Sequence, residues 1–108
     1  MSKKEIKFSI ELNEQNLPQS IEWEATDAGF EGKKPCNSMM IYLWDKEAEN
    51  SLHIDLWTKD MMVNHMNIHF FHNLMNMADT FKRATGNDEL SDMIREFAQK
   101  FAEKLKSQ

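Results

Sequence analysis

Cysteine occurs only once in the 108 residues, at Cys36. No disulfide can form within the chain, which suits a reducing compartment. Two prolines and three glycines leave little that reads as linker. Long hydrophobic runs are missing too. The longest, Met39 to Trp44, falls far short of the roughly 20 residues that a membrane-spanning helix needs. The basic start, M-S-K-K-E-I-K-F, leads into no apolar segment, which argues against a secretory signal. Positive charge is scarce: 13 Lys and Arg stand against 18 Asp and Glu, for a net charge of −5. Such a chain repels phosphate backbones unless it gathers a basic patch. Lys3–Lys4 and Lys33–Lys34 are too few for one, and Lys100, Lys104 and Lys106 alternate with apolar residues and Glu103 as a solvated helix face would. The expectation is a cytoplasmic protein with no nucleic-acid partner and no membrane span.

What is present is a globular balance, with 41% hydrophobic and 29% charged residues, at the length of one domain covering residues 1–108. The first half alternates with period two, the signature of half-buried strands. Ile6, Phe8, Ile10 and Leu12 alternate with Glu5, Lys7, Ser9 and Glu11; after the turn N-E-Q-N-L-P, Ile21, Trp23 and Ala25 alternate with Glu22 and Glu24, giving a hairpin. Thr26 to Pro35 reads as a loop. A third strand runs from Ser38 to Trp44 and a fourth from Ser51 to Thr58, across the turn D-K-E-A-E-N-S. The period then becomes helical. Asp60 is the expected N-cap of the first helix, whose apolar face is Val63, Phe70, Leu74, Met77, Ala78 and Phe81. Gly86 closes it, Asn87 or Asp88 caps the second, and Leu90, Met93, Ile94, Phe97, Ala98, Phe101 and Leu105 form the second stripe. The order ββββαα predicts an α+β domain: one four-stranded antiparallel sheet with two C-terminal helices packed on one face.

His65, His69 and His72 invite a metal reading, because i, i+4 spacing can chelate. Three ligands from one straight helix rarely converge at tetrahedral angles, and no glutamate follows His65 where a zinc protease would need one: that position is Met66. On a wheel the three histidines fall within about 60° of each other, opposite Phe70, Leu74, Met77 and Phe81. The expected reading is a polar helix face and no bound cofactor; a metal site shared between copies is the alternative. Cys36 beside Pro35 has no nucleophile signature, Glu22/Glu24 and Glu47/Glu49 sit at solvated spacing, and neither a P-loop nor a G-x-G-x-x-G occurs. The chain is not expected to be an enzyme.

The third strand is apolar on both faces. With Met39, Ile41 and Leu43 turned to the helices, together with Leu52, Ile54 and Leu56, the outer face holds Met40, Tyr42, Trp44, His53 and Trp57. Aromatics and methionine are the residues that interfaces favour. Either this face meets a partner protein or a second copy, or the 26–35 loop covers it with Phe30.

The segments I-E-W-E-A-T-D-A-G-F-E-G-K-K-P, L-W-D-K, I-D-L-W-T-K-D-M and M-A-D-T-F-K-R-A-T-G, in that order, resemble the gliding-motility protein GldC family of Bacteroidota over nearly the whole chain. The resemblance implies an accessory component of the gliding machinery, linked genetically to a lipoprotein of that machinery. It implies no catalytic or ligand motif. A separate likeness, in element order alone, is to SecB-type export chaperones, which assemble as tetramers and hold unfolded clients. Fold does not carry function, so this yields only a second expectation, a holdase for exported motility proteins. A histidine-based metal-binding protein is the third.

Overall fold

A computed structural model of the chain describes residues 2–108. The chain divides into two compact units, one running to Met61 and the other from Met62 to Gln108. The class is α+β, as expected, but the strands do not form one four-stranded sheet. Among the described residues there are five: β1 (Ile6–Leu12), β2 (Pro18–Ala25), β3 (Lys34–Cys36), β4 (Ser38–Asp45) and β5 (Asn50–Trp57). They form a three-stranded antiparallel sheet in the order β1-β2-β3 and a separate antiparallel pair β4-β5.

The division follows from the stretch that was expected to be loop. Its end, Lys34–Cys36, pairs with β2, placing Cys36 opposite Ile21 and Lys34 opposite Trp23. Pro35 has no amide to donate to a further strand, so β3 is confined to an edge. After Asn37 alone, the chain starts β4 in the second sheet. Thr58 ties the junction down. It is buried, its N–H donates to the Asn37 carbonyl at 2.9 Å, and its hydroxyl reaches the Asn37 side chain at 3.4 Å.

Short polar side chains make the turns. Asn13 Oδ1 accepts from the amides of Gln15 and Leu17, at 2.9 and 3.0 Å, and lets Asn16 take a φ of 62°. Asp45 Oδ1 does the same for Glu47 and Ala48, at 3.0 and 3.2 Å. Both are side-chain copies of a backbone turn. In the first sheet Ile6, Phe8 and Ile10 share a face with Ala25, Trp23 and Ile21, their direct partners. Ile21, on the central strand, is the most buried of these.

The second unit is a helix hairpin, α1 (Val63–Thr85) and α2 (Asp88–Lys106). Gly86 takes the left-handed conformation that closes α1, with its N–H on the Lys82 carbonyl at 2.8 Å. Asn87 caps α2 by accepting from the Leu90 amide at 3.0 Å. The expected cap of α1 is corrected. Asp60 lies in a turn where the Met61 amide bonds to the Thr58 carbonyl, two residues short of the cap position; Met62 stands there, and no side chain caps the helix.

The helices meet on small residues. Ala78, Ser91 and Ala98 are fully buried, and the Ser91 hydroxyl donates to the Ala78 carbonyl at 2.7 Å. On a helical wheel this seam leaves Phe70 and Met77 of α1 on the same side of the hairpin as Leu90, Met93 and Phe97 of α2. These five were expected in the core and are exposed, because a seam of two alanines and a serine has no room for them. Arg95 binds Asp79 from the other helix at 2.7 Å on the polar side.

Candidate functional site

The register of β4 and β5 brings the expected surface residues together. Ser38 faces Trp57, Met40 faces Asp55, Tyr42 faces His53 and Trp44 faces Ser51. Directly opposed residues share a sheet face, so Met40, Tyr42, Trp44, His53 and Trp57 lie on one side, as period two requires. Tyr42, Trp44 and Trp57 are 61%, 66% and 53% exposed. For the largest apolar side chains this is far above what solvent contact alone favours, since each fully buried aromatic removes about 150–250 Å² from water.

The 26–35 segment does not cover this face. Phe30 packs edge-on against Trp23 in the first sheet, with ring centroids 5.1 Å apart at 85°, and the Lys34 ammonium sits 5.3 Å from the Phe30 ring. A concavity of about 330 Å³ does open beside the aromatic face, lined by Trp57, Asp55 and Leu56 with Leu17, Pro18 and Lys59.

Part of the surface is held in place by its own neighbours. His53 Nδ1 donates to Asp55 Oδ2, and the His53 ring stacks on Tyr42 at 5.5 Å and 18°. Asp55 thus fixes the imidazole, and the imidazole fixes the phenol ring. A ring already ordered loses less side-chain entropy when a partner covers it, a saving of about 0.5–1.5 kcal/mol per side chain. Asp55 is the residue that the surface reading passed over. Its signal was its place at i+2 from His53 on a strand, which puts both on one face.

The opposite face of the hairpin departs from expectation. Met39 is buried, and Ile41 and Leu56 half-buried, but Leu43, Leu52 and Ile54 are exposed. Burial fades toward the Asp45–Asn50 turn. A two-stranded hairpin is at best marginally stable alone in water, so a surface that covers either face gains stability for the hairpin as well as affinity.

The histidines of α1 stay dispersed in role. On the wheel all three lie on the far side of α1 from Ala78, which marks the seam with α2. The Asn73 amide donates to His69 Nε2 at 3.4 Å, and the His72 ring leans on Phe71. Among the described residues no group of three His, Cys, Asp or Glu side chains could hold a metal ion.

Cys36 is half-buried in β3, and burial pushes its thiol above the ordinary range; the Ser38 amide offsets part of that rise. A thiol held protonated at neutral pH is a poor nucleophile. Alkylation of Cys36 by iodoacetamide should therefore run slower than that of a free cysteine at pH 8, and its rate should climb toward the free rate only at higher pH. Stopped aliquots read by intact mass check this; a rate above that of the free thiol at pH 7 contradicts it.

No described helix is long and apolar enough to cross a membrane. A protein-family model described as "Gliding motility-associated protein GldC-like" matches residues 18–107. No curated protein and no solved structure matches the chain.

Proposed function

The chain belongs to the GldC-like family of gliding motility-associated proteins, and from that premise we propose that it is a non-enzymatic, cytoplasmic accessory protein that docks another protein of the gliding machinery on the aromatic face of β4-β5. The observation that carries the reading is the exposure of Tyr42, Trp44 and Trp57 on one face, with Tyr42 ordered through His53 and Asp55. Exposed, clustered tryptophan and tyrosine are the side chains that dominate binding energy at protein interfaces. The partner this face fits is a protein surface with apolar pockets deep enough for two indoles.

A benzophenone-bearing amino acid in place of Tyr42, irradiated in gliding cells, tests it. One discrete adduct with a component of the gliding machinery is the expected result. A continuous ladder of many proteins is the behaviour of a holdase and would transfer the reading to that class. An adduct pattern equal to that of the same probe at His65, on the polar side of α1, sinks both.

A further inference from the structure

The outer edge of the first sheet carries its own complement. β1 is the edge strand of β1-β2-β3, and six of its seven residues are exposed. Ile6, Phe8, Ile10 and Leu12, the whole apolar side of the strand, are among them, Ile6 at 68%. Uncovered edges of this kind pair readily with another strand.

Backbone direction limits how a strand can be added. The Thr26 amide donates to the Glu5 carbonyl at 3.1 Å, in register with Ile6 opposite Ala25 and Lys7 opposite Glu24. Hydrogen-bonded and non-bonded positions alternate along an antiparallel pair. Glu5, Lys7, Ser9 and Glu11 therefore aim their amides and carbonyls at β2, while Ile6, Phe8, Ile10 and Leu12 aim theirs outward. The register shift between Glu11 and Leu12 skips Gln19 of β2 and leaves the alternation of β1 unbroken. An added antiparallel strand must pair its outward-bonding residues with these even-numbered ones.

We propose that this strand is β1 of a second copy, paired about a twofold axis at Ser9. Phe8 of each copy then faces Ile10 of the other, and Ile6 faces Leu12, so the apolar faces of the two sheets join. On the opposite face Lys7 of each copy meets Glu11 of the other, giving two ion pairs by symmetry. The neighbouring registers lack this fit. An axis at Phe8 sets Glu5 against Glu11, like charges, and an axis at Ile10 sets Lys7 against Asn13 and Glu11 against Ser9. Opposed unlike charges across strands stabilise and like charges destabilise, so charge selects the Ser9 axis from the registers the backbone allows. The contact is isologous and closes at two copies, forming a continuous six-stranded sheet. It uses a different surface from the aromatic face of β4-β5 and stands whether or not that face binds a partner.

Light scattering behind a sizing column, on the full chain, tests the proposal with Lys7→Glu, Glu11→Lys and their equimolar mixture. The wild type should elute at twice the chain mass. Each single substitution turns two attractive pairs into two repulsive ones and should weaken self-association by about tenfold or more. Mixing the two variants sets an acidic strand against a basic one and should restore the dimer. Lys7 also faces Glu24 of β2, but a fold damaged by the substitution would not be cured by mixing. A monomeric wild type, a dimer indifferent to both substitutions, or a mixture that stays monomeric overturns the proposal; the second outcome would place the self-contact on another surface.

Discussion

Replacing Ile21 by alanine should cost the first unit about 3 kcal/mol, measured by urea denaturation. Ile21 lies on the central strand of β1-β2-β3, between Ile10 and Cys36, and is 1% exposed. Truncating a buried isoleucine removes transfer energy and leaves a cavity that the neighbours fill only in part, which places such changes at about 2–5 kcal/mol. Leu43→Ala, on an exposed position of β4, is the comparison and should cost under about 1 kcal/mol, because surface truncations fall mostly within about 0.5 kcal/mol of neutral. Equal losses for the two variants would mean that Leu43 is covered in solution or that Ile21 is not the centre of its sheet.

Changing Trp44 and Trp57 together to lysine should have the opposite signature. Both indoles stand on the exposed face of β4-β5 and pair across the strands with the small residues Ser51 and Ser38. Folding stability should move little, as at other exposed positions. Affinity for the partner should fall about a thousandfold, since tryptophans at the centre of an interface are worth about 2 kcal/mol or more each. Unfolding of the double variant would place the indoles in the core and remove the physical basis for a docking face.

Much of the fold could be read from residue pattern, and the failures have identifiable causes. The β1-β2 hairpin and the β4-β5 pair follow from period two with Asn13 and Asp45 at the turns, and the helix boundary at Gly86–Asn87 follows from a left-handed glycine and a side-chain cap. The short strand β3 was invisible. Three residues containing Lys34 and Pro35 show no alternation, and only pairing with β2 makes them a strand. Missing it merged two sheets into one. The helix stripes were correct in position but not in burial, because a period shows which side is apolar and not what covers it. Phe97 and Met93 are exposed for that reason. The same distinction applies to the site. The sharing of a face by Tyr42, Trp44, His53 and Trp57 is a matter of parity and was legible; that Phe30 turns to Trp23 instead of covering them required the fold. The charge symmetry of Lys7 and Glu11 about Ser9 is visible in the sequence, but that β1 is an edge is not.

The most direct test of a docking role for the aromatic face is gliding itself. Cells lacking this protein would be supplied with the wild type, with the Trp44→Lys/Trp57→Lys variant, or with a variant carrying alanine at His65, His69 and His72, and single-cell gliding speed would be recorded at matched protein levels. The aromatic variant should fail to restore gliding although it folds and accumulates, while the histidine variant restores it fully. Full restoration by the aromatic variant would contradict the role assigned to that face.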